Sequence, residues 1–353
     1  MDFGFPNFFH WSPYDRLISL TPGKAPIYKK NKSVKMTQPF GNLRALANNY
    51  HPDDGHVLEY EPRDIAFKTD SLGFRNDSDY RGQPYILVGD SFVAGTANTQ
   101  EHTLSSVLKN SYQADTYSLA VEGANISNYV TYIKMFENLN NGPFKVIIFL
   151  YESNDFPSAE VENISEPKKL KHFYKKPINL YKSFFRETGL YRYTWIAYKS
   201  IRRSYRKSTF SRLQINQIGN HLIGFARGEV RDFEREYTPH PDLEKNLKSI
   251  RNRIEHMYYI PSKYRAYHPL LNNRDKELPI DTTWKGLFLT ASRLKIPATN
   301  LTPVFIKEAK KYYLEKSQFI YWKDDTHWNI NGITIAAKVI CQTVKKLGCN
   351  DNN

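Results

Sequence analysis

The sequence predicts an α/β fold, a three-layer α/β/α sandwich with a central parallel sheet. From Gln83 onward, short apolar runs of strand length alternate with segments of helical periodicity. This alternation is typical of βαβ units. The first apolar run, 84–88, ends at Gly89-Asp90-Ser91, as a strand buried on both faces of a parallel sheet would. A chain of 353 residues is long enough for one such domain with extensions.

The predicted core elements follow one another as strand, helix, strand, helix and strand. Strands are expected at 84–88, 116–120 and 145–151, and helices at about 101–110 and 126–139. The helix at 126–139 carries apolar residues every three or four positions, and the strand at 145–151 is the strongest apolar run. Later in the chain, 257–260 and 319–322 are predicted strands and 333–346 a closing helix.

Composition divides the chain into three parts. Residues 1–80 are rich in Pro, Gly, Asn and Asp, and they are predicted to be an irregular N-terminal wrapping segment of loops and short strands. Residues 81–160 and 251–353 form the predicted α/β domain. Residues 161–250 are polar with helical periodicity, and they are predicted to be a helical basic insertion between the third and fourth core strands.

Positive charge is concentrated in this insertion. Residues 168–207 contain thirteen lysines and arginines and one acid, Glu187, so this segment carries nearly all of the net charge of +14. Aromatic residues recur among these cations at helical spacing. The pattern fits a helix packed on the core, a helix in an anionic membrane interface, or a groove for an anionic polysaccharide. Nucleic acid is not expected as a partner, because no base-reading module accompanies the cations.

The sequence also limits the class of protein. Its longest apolar run, 146–151, is far shorter than the roughly 18 residues that cross a bilayer. We expect no export signal or anchor within this chain, because no basic stretch followed by an apolar one opens it. Two cysteines, Cys341 and Cys349, exclude a disulfide-rich scaffold and a cysteine-built zinc site, but they leave open whether they pair.

Three polar strings lie at the ends of predicted core elements. Ser91 follows the first strand, where its hydroxyl would lie near a helix N-terminus that favours a developing oxyanion, although serine there is also a common N-cap. Asn154 follows the third strand, where its amide could donate to the same place. His327 follows Asp324 and Asp325, and a carboxylate can hold a histidine in the tautomer that activates a hydroxyl.

Together these strings resemble the sequence blocks of the SGNH (GDSL-type) hydrolase superfamily. The matching residues are Gly89-Asp90-Ser91 with Gly95, then Gly123, Asn154 and His327. More narrowly, the chain is similar to the branch that contains bacterial polysaccharide O-acetyltransferases and esterases. The strings that carry this likeness are 71–75, 259–267, Leu301-Thr302-Pro303 and 325–332. The resemblance covers residues 69–155 and 256–346.

The resemblance implies a flavodoxin-like sandwich and an acyl-serine mechanism that needs no cofactor and no metal. Ser91 would be the nucleophile and His327 the general base. The acid that orients His327 is Asp325 by the pattern of the branch and Asp324 by the commoner spacing of the superfamily, and we expect Asp325. The implied oxyanion hole consists of the backbone N–H groups of Ser91 and Gly123 and the side-chain amide of Asn154. The glycine usual before the oxyanion asparagine is replaced by Ser153.

The expected function is that of a serine esterase or O-acetyltransferase acting on O-acyl groups, most simply O-acetyl groups, of a bacterial glycan. Its relatives imply an extracytoplasmic location, periplasmic or membrane-associated. Two alternatives stay open: a catalytically inactive glycan-binding module of the same fold, and a metal-dependent hydrolase. The candidate metal ligands are His51, Asp53, Asp54 and His56, or His327 with the two aspartates before it. A GxSxG nucleophile elbow is absent, which argues against the α/β-hydrolase fold.

Overall fold

A computed structural model gives the positions of the elements. The residues that it describes are 14, 17–19, 25–46, 58–140, 142–153, 155–156, 213–234, 236, 241–271 and 278–350. The strands within them are β1 (Ile18–Ser19), β2 (Ile27–Tyr28), β3 (Ser33–Gln38), β4 (Arg63–Lys68), β5 (Tyr85–Val88), β6 (Thr116–Ser118), β7 (Lys145–Tyr151), β8 (Leu213–Ile218), β9 (His221–Ala226), β10 (Ile254–Ile260) and β11 (Ala298–Asn300). The helices are α1 (Ser91–Ala94), α2 (Leu104–Tyr112), α3 (Ile126–Leu139), α4 (Arg227–Glu234), α5 (Pro241–Ser249), α6 (Lys263–Tyr267), α7 (Thr282–Arg293), α8 (Thr302–Lys316) and α9 (Ile330–Thr343).

The centre of the fold is a five-stranded sheet in which all neighbouring strands are parallel. The strand order is β11-β10-β7-β5-β6. Numbered along the chain, these strands lie in the order 2-1-3-4-5, which is the flavodoxin-like order of doubly wound sheets. The central strands β5 and β7 are almost wholly buried, as parallel strands covered on both faces must be. The predicted fold class is confirmed.

Helices cover both faces of the sheet. On one face, α2, α8 and α9 pack on sheet residues such as Leu87 and Phe149. On the other face, α3, α5 and α7 pack on residues such as Ile86 and Ile148. Successive side chains of a strand point to opposite faces, so one apolar run supplies both cores. This is why the core strands are continuous apolar runs and do not alternate with polar residues.

Two segments outside the sandwich meet near residues 322–328. The N-terminal segment contributes the antiparallel pair β3–β4, and the β8–β9 hairpin packs against it through Leu43, Leu58 and Leu213. The hairpin also contacts residues 322–328 directly, because the Gly224 N–H donates to the Lys323 carbonyl at 3.0 Å. The loop before α9 is therefore enclosed by the N-terminal segment and by a hairpin from the middle of the sequence.

The structure corrects the prediction for the last core strand. Residues 319–322 are not a strand; Tyr321 forms one isolated bridge with Trp328, and the fifth strand of the sheet is β11. The apolar run at 319–322 arises because Ile320 and Tyr321 are fully buried in the core shared with α8 and α9. Their backbone N–H groups donate to the Tyr267 hydroxyl. β11 is only three residues long and half-buried, so its sequence carries little strand signal.

A second correction concerns the segment predicted as a helical insertion. Residues 161–212 lie outside the described residues, and the described part begins with the hairpin β8–β9 and only then continues as α4 and α5. The hairpin turns at Gly219 and Asn220, and Gly219 has the positive φ of 56° that such turns favour. The closing helix is also shifted: it spans Ile330–Thr343 and is capped by the Asn329 side chain.

The two cysteines of the chain, Cys341 and Cys349, form a disulfide. It ties the end of α9 to the segment that follows this helix. Within the residues that the structure describes, no helix combines the length and the apolar character that crossing a bilayer requires.

Arg75 connects the N-terminal segment to the turn after α1. Its guanidinium donates to the carbonyls of Gly95 at 2.7 Å, Asn98 at 2.8 Å and Ala66 at 2.9 Å. Its Nε donates to the Gln100 side chain at 3.1 Å. The side chain is buried, with 1% of the residue exposed. One arginine thus satisfies several carbonyls that no longer reach water.

Replacing Arg75 by Met should therefore destabilise the fold strongly. Each buried carbonyl left without a donor costs about 1–3 kcal/mol, so we expect the free energy of unfolding to fall by about 3 kcal/mol or more, measured by urea denaturation. Arg81→Met is the control, since Arg81 is exposed and its loss should change stability by less than about 0.5 kcal/mol. Equal effects of the two changes would contradict this account.

Candidate active site

Ser91 begins a short helix directly after a central strand. Asp90 is the N-cap of α1, and its Oδ1 accepts the Phe92 N–H at 3.0 Å. The helix ends at Gly95, which has a φ of 74° and leaves no room for a Cβ, since that atom would lie 2.9 Å from the Thr103 side chain. Ser91 therefore lies at the carboxyl edge of the sheet, beside the switch point between β5 and β7 where doubly wound sheets bind ligands.

His327 lies on a compact loop between α8 and α9, residues 317–329, the histidine loop. The loop is closed by the bridge between Tyr321 and Trp328 and by the Trp322 N–H, which donates to the His327 carbonyl at 3.2 Å. The Trp328 indole N–H donates to the Phe92 carbonyl at 3.1 Å, across 236 positions of sequence. This bond fastens the loop to α1 and so fixes His327 relative to the helix that carries the serine.

Ser91, His327 and Asp325 form a continuous chain of hydrogen bonds. Ser91 Oγ lies 2.7 Å from His327 Nε2, and His327 Nδ1 lies 2.6 Å from Asp325 Oδ1. All three residues are buried. A carboxylate on one ring nitrogen and a hydroxyl on the other is the arrangement in which histidine accepts the proton of serine. The structure thus brings together three of the residues that the sequence singled out.

Asp324 contacts a different part of the molecule. Its Oδ2 accepts the backbone N–H groups of Gly41 at 2.7 Å and Glu61 at 3.1 Å, and its Oδ1 accepts Arg63 Nη1 at 3.1 Å. All these donors belong to the N-terminal segment. Asp324 therefore fastens the loop to that segment, and Asp325 is the aspartate that contacts the imidazole.

Asp325 and His327 shift the pKa of one another. Burial alone raises the pKa of Asp325, but the charge and hydrogen bond of His327, the cation Arg63 and the Asn42 N–H outweigh it and lower this pKa to about 2. Burial lowers the pKa of His327, but Asp325 more than offsets this effect, so the pKa of His327 is raised. Asp325 is thus ionised at neutral pH and stabilises the imidazolium that forms when His327 takes a proton.

Gly123 lies in the turn after β6, the strand that neighbours β5. Its φ is 73°, in the left-handed region, while a Cβ placed on it would meet no atom within 4 Å. The backbone conformation and not crowding therefore favours glycine here. Because β5 and β6 are parallel, the turns that follow them lie at the same edge of the sheet. The role of the Gly123 N–H in an oxyanion hole stays a prediction.

Asn154 lies outside the described residues, so its role in an oxyanion hole also stays a prediction. The residues on either side of it are held in place. Ser153 Oγ donates to Asp232 Oδ2 of α4 at 2.8 Å. Asp155 is fully buried, and its Oδ2 accepts the Tyr151 N–H at 2.7 Å. Asp155, like Asp90, is therefore engaged in turn hydrogen bonds.

Lys263 supports the histidine loop, a role that the sequence analysis did not predict. The side chain is buried at the start of α6, and its Nζ donates to the carbonyls of Gly224 at 2.7 Å, Lys323 at 2.8 Å and Asp325 at 3.1 Å. Burial lowers the pKa of Lys263 to about 8. The available signal was a lysine three residues after the end of an apolar strand, since a cation in such a place needs buried acceptors.

A further buried carboxyl group, that of Glu229, lies behind the aromatic side chains next to His327. The Tyr151 hydroxyl donates to Glu229 Oε1 at 2.7 Å. The Tyr151 ring packs 4.4 Å from Phe92, whose ring lies 5.0 Å from that of His327. Burial raises the pKa of Glu229 to about 7. Nothing in the sequence marks Glu229, because α4 is strongly polar and its one buried acid resembles the exposed ones.

The metal-binding alternative gains no support from the geometry. In the part of the chain that the structure describes, no three or more His, Cys, Asp or Glu side chains are grouped so that they could hold a metal ion. The first candidate set, His51, Asp53, Asp54 and His56, lies outside the described residues. The ring nitrogens of His327, in the second set, are hydrogen-bonded to Ser91 and Asp325.

Neither a protein-family model nor a curated protein sequence matches this chain. Among solved structures, it is similar to a lipolytic protein of the G-D-S-L family from Veillonella parvula (10% identity, 74% of this chain and 98% of that chain, TM-score 0.37). It is also similar to a lipase/acylhydrolase from Enterococcus faecalis (12% identity, 76% and 98%, TM-score 0.34). A third is a Bacillus subtilis protein (11% identity, 82% and 69%, TM-score 0.40).

The different contacts of the two aspartates predict different effects on His327. Asp325→Asn removes the negative charge that contacts Nδ1, so the pKa of His327 should fall by at least about one unit, as measured by NMR titration of the imidazole. Asp324→Asn, the matched change one residue away, should lower this pKa by less than half as much. Equal shifts, or a larger one for Asp324→Asn, would show that Asp325 is not the orienting acid.

Proposed function

We propose that this chain is an SGNH-type serine enzyme that transfers acyl groups from esters through an acyl-serine intermediate. The observation that carries the proposal is the hydrogen-bonded chain from Ser91 Oγ through His327 to Asp325, with bond lengths of 2.7 Å and 2.6 Å. Its position at the switch point of a doubly wound sheet supports the same conclusion, because ligands of such folds bind there. The resemblance of the surrounding motifs to SGNH hydrolases agrees with it.

In the proposed mechanism, Ser91 Oγ attacks the ester carbonyl while His327 Nε2 takes the hydroxyl proton. Asp325 stabilises the imidazolium, and the oxyanion of the tetrahedral intermediate accepts N–H groups of Ser91, Gly123 and Asn154. Each such donor typically lowers the barrier by about 3 kcal/mol. When the intermediate collapses, the C–O bond to the alcohol breaks and His327 returns its proton to the leaving oxygen. This leaves the acyl group on Ser91.

The second half of the reaction decides between an esterase and an O-acyltransferase. Water or a sugar hydroxyl gives its proton to His327 and attacks the acyl-serine carbonyl, and Ser91 then leaves with that proton. We propose acetyl or another small acyl group on a bacterial glycan, outside the cytoplasm, as the substrate. The support is the resemblance of 71–75, 259–267 and 325–332 to the polysaccharide O-acetyltransferase branch.

Ser91→Ala should abolish turnover of an activated acetyl ester such as p-nitrophenyl acetate, because Ser91 Oγ carries the acyl group in the proposed mechanism. In the wild-type protein, rapid acid quenching during turnover of this activated ester, whose acylation step is fast, followed by peptide mass analysis should find one acetyl group on the peptide that contains Ser91. Ser111→Ala is the matched control, since Ser111 is an exposed serine of α2. It should retain full turnover.

Turnover that survives in folded Ser91→Ala would contradict the serine mechanism. A correctly folded wild-type protein with no turnover of any acyl ester would instead favour the inactive glycan-binding module. Partition of the trapped acyl-enzyme between water and added glycan acceptors then separates hydrolysis from transfer.

We further propose that the basic segment 168–207, which lies outside the described residues, attracts an anionic surface such as an acidic membrane or polysaccharide. Charge-based attachment weakens as salt shortens the screening length from about 10 Å at 0.1 M to about 3 Å at 1 M. Binding to acidic vesicles, measured by sedimentation, should therefore fall with salt. It should also fall when four cations are replaced by Gln: Arg202, Arg203, Arg206 and Lys207.

The control variant has the same change in net charge, but in a different part of the chain. It replaces four exposed lysines of α8 by Gln: Lys307, Lys310, Lys311 and Lys316. This variant should bind acidic vesicles nearly as well as the wild type, and both variants should turn over a small activated ester at the wild-type rate. Equal loss of binding in the two variants would mean that net charge, and not the basic segment, causes the attachment.

A further inference from the structure

Arg63 of β4 lies between the two aspartates of the histidine loop. Its Nη1 donates to Asp324 Oδ1 at 3.1 Å, and its Nη2 lies 3.5 Å from Asp325 Oδ2. The side chain is 5% exposed, and both carboxylates are almost fully buried. The guanidinium therefore spans the carboxylate that anchors the loop and the carboxylate that contacts His327.

Two buried cations, Lys263 and Arg63, lie beside the aspartates, and the guanidinium of Arg63 reaches both carboxylates. Asp324 and Asp325 place two negative charges side by side in the interior, and like charges at such distances repel strongly where water is excluded. Arg63 offsets one of them. The other then faces His327, which becomes positive when it accepts a proton.

The planar shape of the guanidinium matters as well as its charge. Its central carbon lies 4.4 Å from the centre of the Trp322 ring, so the side chain also packs on an aromatic residue of the loop. In this position two different nitrogens reach two different carboxylates. A lysine would bring the same charge as a single point and could not span both.

We propose that Arg63 is a positioning residue for acyl transfer: it holds the Asp325 carboxylate toward His327 and offsets the negative charge of Asp324. The inference rests on the proposed function for its effect on turnover. It extends the catalytic site to the N-terminal segment, which the sequence resemblance does not cover at this position. Arg63 does not contact the reacting atoms, so its effect passes through Asp325.

The proposal predicts a specific change in pH dependence. General-base catalysis needs neutral His327, so activity is lost as pH falls through the pKa of His327. The acidic groups that raise the pKa of this imidazole include Asp325, Glu122 and Asp90. Glu229 also interacts with it, and Arg63 lies beside Asp325 and lowers the pKa of that carboxyl. Arg63→Gln leaves one more uncompensated negative charge nearby, while Asp325, with its pKa of about 2, stays ionised. The acid limb of kcat/KM should therefore move to higher pH by about one unit.

Three variants separate charge from shape. Arg63→Lys keeps the charge, so the limb should stay in place while kcat falls about tenfold, because a misplaced carboxylate misaligns the base. Arg63→Gln combined with Asp324→Asn removes one charge of each sign, and the limb should return to the wild-type pH. Arg253→Gln is the control: Arg253 also pairs with a carboxylate, Glu137 at 2.7 Å, and packs on an aromatic ring, that of Phe144. It precedes β10 at the opposite edge of the sheet and should not move the limb.

The same shifts should be measured by NMR titration of His327 in the Ser91→Ala protein, where no turnover is needed. Failure of the esterase proposal therefore leaves this test intact. A His327 pKa that is equal in Arg63→Gln, Arg253→Gln and the wild type would overturn the inference, as would a double variant that keeps the shift of Arg63→Gln. If Arg63→Gln does not fold, Asp324→Asn serves as the test. This change removes the negative charge that Arg63 offsets, so the pKa of His327 should fall. An unchanged pKa of His327 would contradict the proposed coupling.

Discussion

Two adjacent buried carboxylates impose the constraint on which the rest of the site depends. Asp324 and Asp325 cannot stay charged in the interior without donors, and the loop that carries them supplies few. The donors come from Gly41, Asn42 and Arg63, which lie 261 to 283 positions before the aspartates that they contact. The position of His327 therefore depends on a segment outside the α/β sandwich. In this sense the N-terminal segment is part of the site as well as a cover for the core.

The parallel sheet explains why the serine and the histidine meet. β5 and β7 are neighbours whose crossover connections leave in opposite directions, so a crevice opens at their carboxyl ends. Ser91 enters this crevice from the turn after β5. His327 reaches it from the loop before α9, a helix that packs on the same face of the sheet as α2. The bond from the Trp328 indole to α1 then sets the spacing between the two elements.

Site residues whose role depends on their sequence neighbours could be predicted from the sequence, whereas those whose role depends on distant contacts could not. Ser91 and His327 were found because each lies in a short motif whose turn or cap is encoded by its neighbours. The choice of Asp325 over Asp324 followed the pattern of relatives, and the contacts that distinguish them become visible only when Gly41 and Arg63 are in place. Nothing in the alternating strand that starts at Arg63 marks its first residue as a partner of the loop. Lys263, with its three buried carbonyl acceptors, was missed for the same reason.

The errors in the predicted secondary structure also have physical causes. Strand patterning was assigned to 319–322 because buried aromatic residues look alike in a strand and in a loop packed between helices. The hairpin at 213–226 was overlooked although its turn carries a Gly-Asn pair, since the polar residues of β8 resemble a helical surface. Conversely, 126–139 and 145–151 were predicted to the residue, because strong periodicity and clear end signals agree there.

The bonds between residues 41–63 and 324–325 also have a consequence for biosynthesis. A ribosome makes the N-terminal segment first, and its partners in the histidine loop emerge only after more than 260 further residues. Contacts of such sequence separation form late and slowly, because a long loop must be closed before they are gained. Ser91 would thus be translated 236 residues before His327. A nascent chain of this protein therefore carries Ser91 without the histidine that contacts its hydroxyl in the folded protein.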